Sequence, residues 1–458
     1  MIGIYHGYEK PAEANIFLDS FVSSLIYLIN NGIEIDGRTF SIKINSIVCD
    51  VPAKAFITYT KGHSGYASCS KCTIEGEFIN NRICFPDVTG LNLRTDQDFR
   101  AKTQESHHSG TSVLENIPLL NMVDNFPLDP MHLISLGVVK KILVLLWCHG
   151  KPRTKLSFHH IRTISDRLVH VASQVPMEFN RKPRSLSDVR RWKATEFRQF
   201  LLYTGPVVLR GQINADRYQN FLSLHIAVTI LSSRNHFQLL DYASDLLVYF
   251  VKTFIYLYGS EHVSHNVHNL LHLVDDVKRF GPLDEFGCWN FENYLQSILK
   301  NLRKPDKPLA QIIKRHSEKN HQNNLFTKVV EFPSFLKEHN DGPTHINVVI
   351  LKQFKKLALK TFTLCTSEPD NCCCFLNGSI GIIENIILTE NRVYKILAKK
   401  FLIVDDIYKE PCQSSSLGIY SAASLGPLEM FDMEEVKSKC VRFTTDTTNL
   451  IFPLLHCT

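Results

Sequence analysis

What the chain lacks narrows its class. No apolar run reaches the roughly 18 residues that a membrane span requires, and no signal peptide opens the sequence, so the expectation is an intracellular protein with no membrane partner. A disulfide framework is also excluded: the 13 cysteines are an odd number in a chain read as intracellular, and reduced thiols follow. The triplet Cys372-Cys373-Cys374 has no spacing that suits one metal ion and reads as ordinary strand or loop. Neither charge sign dominates, with 51 Lys and Arg against 45 Asp and Glu, and the net charge of +6 permits a polyanionic partner without demanding one. No basic arm or finger precedes the first helix. What remains, 44% apolar and 21% charged residues over 458 positions, is the balance of a globular protein with room for two or three domains.

The hydrophobic pattern divides the chain. Residues 1–35 are a helical lead-in, with Ile16, Phe17, Phe21, Leu25, Leu28 and Ile29 at helical spacing. Residues 39–49 alternate through Phe40, Ile42, Ile44 and Ile47 and predict a strand ending at Asp50; Pro52 then forces the chain out of any ladder. Two short strands, 77–79 and 82–85, flank the turn pair Asn80-Asn81. After a polar loop comes the apolar run Leu119–Val123, then Asp129 at a strand-to-helix junction, then a long apolar helix from Leu133 to Trp147 with Gly137 its one weak helix former. Residues 151–260 show helical periodicity and no strand alternation. A helix over 263–280 carries His265, His268 and His272, and Glu292, which looks buried, opens the next one. From about 345 to 458 short strands alternate with turns, predicting a small β-rich domain, a barrel among the options, with no evident chemistry.

Two constellations carry possible chemistry. Cys69 and Cys72 are spaced so that both thiolates reach one tetrahedral ion; a redox pair or two unlinked thiols are the alternatives. His268 and His272, one helical turn apart, supply the missing pair for a closed structural zinc site, leaving His265 to solvent or core. The second constellation is acidic. Asp50, Asp129 and Glu292 each stand at the end of a strand-like run or the start of a helix, and would converge on one edge as ligands for hard cations such as Mg²⁺ or Mn²⁺. For Asp129 a plain helix N-cap is the competing role. Two such ions can activate a water or sugar hydroxyl and stabilise the leaving oxygen of a phosphodiester.

Positive charge is concentrated in two places. Residues 181–198 hold seven Lys and Arg against Asp188 and Glu196, and residues 300–319 hold seven against Asp306 and Glu318. Arg190, Arg191, Lys193, Lys300 and Arg303 are candidate phosphate contacts. Trp192 among them either stacks on a base or lies in the core.

The expected fold is α/β: an RNase H-like core over 36–150, including the CxxC hairpin, interrupted by an all-helical insertion over 151–260 and completed by the His-bearing and Glu-bearing helices of 261–335, with the β-rich domain of 345–458 last. Several motifs, in this order, resemble the DDE transposases of the CACTA, Mirage and Chapaev group. They are Gly7 with Lys10-Pro11, the stretch Cys49 to Phe56, Gly65-Tyr66 with Cys69 and Cys72, Asp129-Pro130-Met131-His132 with Leu136-Gly137, Trp192 to Arg198, Asn266 to Leu273, and Phe291-Glu292. The resemblance implies that Asp50, Asp129 and Glu292 form the catalytic triad. It implies nicking of double-stranded DNA, both transposon ends and target, followed by attack of a 3′-hydroxyl on the target, by a homo-oligomer in the nucleus. His132, in the family's Asp-x-x-His position, either assists the site or ligates metal. The likeness begins almost at Met1, whereas such proteins carry a longer amino-terminal region for recognising DNA ends; the expectation is a truncated chain, a fragment or a domesticated descendant, and in the last case one that binds DNA or protein without catalysis.

Overall fold

The structure is a computed structural model and describes residues 2–325, 331–346, 348–445 and 447–455, so the ends of the 261–335 and 345–458 segments, and positions 347 and 446, lie in part outside the described residues. It is mixed α/β, with a helical amino-terminal region and a β-rich carboxy-terminal one. Two compact units divide it: residues 1–138 with 251–328, and residues 139–250 with 329–458. The β-rich segment and the helical stretch before it thus belong to one unit.

In the first unit, the Ala14–Asn31 helix lays Val22, with Leu18, Phe21, Leu25 and Ile26 beside it, on a core of Phe99, Leu114, Ile117, Leu120, Met122, Val123 and Phe126. The strand expected over 39–49 is only partly formed. Arg38–Phe40 pairs with Ile33–Ile35 in an exposed two-stranded ribbon, and residues 41–50 enter no ladder. Alternation there reflects one apolar face packing on the core, since Ile44, Ile47 and Cys49 all reach it. One rung links this run to the next: Ile47 N–H donates to the Asn125 carbonyl at 2.7 Å, and the Asn125 amide donates to the Asn45 carbonyl. The Asn80-Asn81 hairpin forms, Glu77–Ile79 pairing with Arg82–Cys84. Both turn residues take positive φ, the conformation a two-residue hairpin asks for and asparagine tolerates.

The apolar helix runs over Met131–Cys148, 18 residues with a mean hydropathy of 1.8, long and apolar enough to cross a membrane by length and composition, contrary to the reading that no run reaches that length. Lys140 and Lys141 interrupt it, and 72% of it is buried inside the protein, as in a core helix.

In the second unit, antiparallel pairing closes six strands into a ring. The order is Tyr394–Asp405, Tyr420–Asp432, Asn449–Pro453, Val436–Thr444, Cys372–Phe375, Ile380–Thr389 and back to the first. Ile350–Ala358 and Ser334–His339 extend it from Ile380–Thr389. Register shifts at Leu397/Ala398 and Lys399/Phe401 help the long strand bend around the ring. The Cys triplet follows strand periodicity: Cys372 enters one core cluster and Cys373 the other. Lys439 is fully buried and bonds to Glu178, Asp370 and the Thr363 carbonyl, tying the helical stretch to the barrel.

Candidate functional site

The chain reaches the acidic site by three routes. Asp50 ends the extended run and caps the Val51–Thr58 helix, its Oδ1 accepting from Ala53 N–H at 2.8 Å. Three residues before it, Ile47 touches Asn125, four residues before Asp129, so neighbouring runs deliver both carboxylates. Asp129 does act as the cap of its helix, accepting from the backbone N–H of Met131 and His132, but it does more. Its Oδ1 also takes the Cys288 N–H at 2.8 Å, and its Oδ2 takes the His132 Nδ1 at 2.5 Å. Cys288 is the N-cap of the Trp289–Lys300 helix, so Asp129 pins the start of the helix whose first turn carries Glu292. The expectation that Glu292 is buried fails: it is exposed, and no residue of that helix is buried, because its apolar side chains Phe291, Tyr294, Leu295 and Leu299 all face outward.

Electrostatics links the three acids. The short bond to Asp129 raises the His132 pKa, against the opposing cost of burial, and the charges of Asp129, Asp50 and Glu292 raise it further. Asp129 is 7% exposed. Burial works to raise its pKa, but the His132 imidazole and the Cys288 and His132 amides outweigh that and hold the carboxyl below its usual range. Asp129, His132 and Cys288 place one ligand atom each within 4.8 Å of one another. The Cys288 thiol is a poor third ligand, since burial and the Asp129 charge keep it protonated. Among the described residues the close donor group here is Asp129, His132 and Cys288; Asp50 and Glu292 are not part of it, although the charge of each reaches His132.

The Cys/His constellation assembles completely. Cys69, Cys72, His268 and His272 are all buried, and their ligand atoms lie within 4.8 Å of one another. The Sγ atoms are 3.5 Å apart, Cys72 Sγ is 3.3 Å from His268 Nε2, and the two Nε2 atoms are 3.3 Å apart. A tetrahedron with bonds of about 2.3 Å to sulfur and 2.0–2.1 Å to nitrogen has edges of about 3.3–3.8 Å, so these residues fit a single four-coordinate ion. Burial works against ionisation of Cys69, but hydrogen bonding to Cys72, His268 and His272 overcomes it, leaving Cys69 the thiolate and Cys72 the raised partner. Outer groups brace the knuckle. Lys71 N–H points to Cys69 Sγ at 3.4 Å, and the Arg94 guanidinium donates to the Cys69 and Cys72 carbonyls.

The histidine helix also braces the acidic site. A Cβ on Gly137 would come within 2.4 Å of the Asn266 side-chain amide, so the Asn266 side chain lies against Gly137, little more than one turn beyond His132. A cleft of about 750 Å³ opens there, and its lining includes Asp50, Tyr66, Phe78, Arg82, His132, His265 and Asn266. His265, expected in solvent or core, is buried yet lines this cleft; its place three residues before His268 was visible, but the cleft was not.

Among the expected DNA contacts, Arg190, Arg191, Lys193, Lys300 and Arg303 are exposed. Trp192 is 5% exposed and packs against Phe197 and Phe200, which rules out stacking on a base and leaves the core reading.

Residues 338–454 match a family described as a domain of unknown function, DUF8592. No curated protein matches the chain, and no solved structure does. The matched segment contains the closed barrel and lies outside both the acidic and the Cys/His constellations.

Proposed function

We propose that the chain is the catalytic region of a metal-dependent DNA transposase, with Asp50, Asp129 and Glu292 as the ligands of Mg²⁺ or Mn²⁺. The observation that carries the reading is that Asp129 binds both the His132 Nδ1 and the Cys288 N–H that starts the helix bearing Glu292, while His132 and Asp50 line one cleft. A perturbed acid–imidazole pair such as Asp129 and His132, beside a cleft, is a common mark of chemistry. The bound cation would supply Lewis acidity and a nucleophilic hydroxyl at neutral pH. Asp129 orients His132 through the Nδ1 bond and holds the Glu292 helix through the Cys288 amide. His132, with its raised pKa, is placed to hold a proton at its ring for the departing oxygen. Exposed Arg190, Arg191, Lys193, Lys300 and Arg303 would meet phosphates. The reading includes an RNase H-like ancestry for the first unit, whose described strands form only two two-stranded ribbons, supported by the neighbouring runs that end at Asp50 and Asp129 and touch at Ile47 and Asn125, and zinc as the ion of the Cys2His2 cluster, supported by its edge lengths. It also includes action as a multimer on paired DNA ends in the nucleus, which rests on the family likeness.

One observation favours the non-catalytic alternative, a transposon-derived DNA- or protein-binding chain: both Asp129 oxygens already accept two hydrogen bonds each. Mn²⁺-dependent nicking of a labelled duplex separates the two. Nicking that Asp50→Asn abolishes supports the enzyme; salt-sensitive binding with no nicking by the parent supports the alternative.

A further inference from the structure

Outside both constellations, the second unit holds a cluster of reactive groups that the phosphoryl-transfer reading leaves unused. Lys439 lies in the Val436–Thr444 strand with none of its side chain exposed, its Nζ 2.5 Å from Asp370 Oδ1 and 2.8 Å from Glu178 Oε2. The Asp370 and Glu178 side chains are themselves only 9% and 11% exposed. A buried ammonium needs one carboxylate to balance it, and Lys71 with Asp276 is a pair of that kind. Lys439 meets two. Lys182, exposed, stands in the field of both acids, but its Nζ donates to the Val175 and Pro176 carbonyls instead.

Each remaining contact fixes one of the three groups. The Thr363 carbonyl accepts from Lys439 Nζ at 2.6 Å, the Thr363 N–H donates to Glu178 Oε1 at 3.0 Å, and the Met177 N–H donates to Asp370 Oδ1 at 3.0 Å. An amine, a carboxyl and a second carboxylate held together in a buried site are the parts of a condensation: nucleophile, electrophile and proton carrier. The Met177 N–H is placed to meet the negative charge that develops on Oδ1 when the carboxyl carbon is attacked.

We propose that Lys439 and Asp370 join in an isopeptide bond, formed by the chain itself with Glu178 as the proton carrier. Glu178 takes one proton from the Lys439 ammonium and passes it to Asp370 Oδ2, which leaves a neutral amine beside a neutral carboxyl. Nζ attacks Asp370 Cγ, a second Nζ proton travels through Glu178 to the same oxygen, the Cγ–Oδ2 bond breaks and water leaves. One N–C bond forms, one C–O bond breaks, and Glu178 ends as it began, so no oxidant or cofactor enters. Desolvation favours the product, because a neutral amide replaces an ion pair in a buried site. The bond spans 69 residues of sequence. Asp370 stands just ahead of the Cys372–Phe375 strand, which pairs with the strand of Lys439, so the link rivets that strand pair.

The mass of the purified full chain, denatured and reduced, tests it. The parent should be lighter than its sequence by one water, and proteolysis should release a branched peptide that joins the Lys439 segment to the Asp370 segment. Lys439→Arg keeps the charge but removes the amine, and Glu178→Gln removes the proton carrier; each should return the chain to its sequence mass. Asp370→Asn should lose ammonia in place of water and finish at the mass of the parent. A parent that stays at its full sequence mass at neutral pH would overturn the proposal and leave ion pairing alone. Water loss that persists in Lys439→Arg would overturn it in favour of a cyclised aspartate. No DNA or metal takes part, so the result stands apart from the transposase reading.

Discussion

The Cys/His cluster and the acidic cluster share one unit and even one bracing helix, yet they are built in opposite ways. Cys69, Cys72, His268 and His272 are buried, mutually in contact and geometrically complete. Glu292 is exposed and Asp50 half-buried, and of the three only Asp129 is fully buried. The difference follows from the charge each must carry. Two imidazoles and a thiol pair can be buried without ruinous desolvation, whereas three carboxylates cannot approach in a dry interior. A structural centre can therefore be finished at folding, while a catalytic one keeps its charges apart until cation and substrate neutralise them. Removing a residue from the first should cost the fold, and removing one from the second should cost only the reaction.

The sharpest way to break that contrast is to remove the buried ion. Apparent binding energies for structural zinc are about 10 kcal/mol or more, comparable to the stability of a whole domain. Cys69→Ser or a strong chelator should thus abolish cooperative unfolding of the first unit; calorimetry of the parent with and without chelator reads it, and an unchanged melting temperature, or no metal in the purified parent, contradicts it. Next in size is the acidic side. Glu292→Gln should lower metal-dependent nicking by about 100-fold or more yet move stability by no more than about 0.5 kcal/mol, as expected for an exposed position. A large fall in melting temperature for that variant would erase the distinction.

Smaller effects sharpen the picture. Lys71 and Asp276 form a buried pair at 2.7 Å, and Asp276 also accepts the Leu128 N–H just before Asp129. Asp276→Asn should cost about 3 kcal/mol in denaturant unfolding and disturb the approach to Asp129, lowering nicking as well as stability. A pH effect marks the second unit. Burial holds the His225 pKa down to about 4, against about 6.5 for a free imidazole. The unfolded chain then binds the extra proton between those values, so stability falls as pH drops from about 6.5 to about 4, by roughly 3 kcal/mol. His225→Gln should flatten this slope in urea titrations at matched pH; an unchanged slope would assign it elsewhere.

Legibility follows the range of the interactions. The Cys/His set could be read because each pair sits at local spacing, three and four residues apart, and local spacing survives without tertiary knowledge. The acids could be named but not their burial: the helix of Glu292 has an apolar stripe, and nothing in a stripe says whether another element covers it. Alternation over 39–49 predicted a strand, but a run with one face on a core alternates whether or not it finds a ladder partner. Trp192 sat among basic residues in sequence while its ring was committed to Phe197 and Phe200. A barrel was among the options for the last segment, but its closing pair, Val436–Thr444 on Cys372–Phe375, and the buried Lys439 with Glu178 261 residues away, join positions too distant to be inferred from pattern.

The central claim, that these carboxylates hold the reactive cation, is tested most directly by changing the hardness of one ligand. Asp50→Cys replaces an oxygen donor by a thiolate, which binds Mg²⁺ poorly and Mn²⁺ better. The account predicts nicking by Asp50→Cys that is lost in Mg²⁺ and substantially restored in Mn²⁺, with no such restoration for Asp50→Ala. Nicking by Asp50→Cys at the parental rate in Mg²⁺ would contradict it.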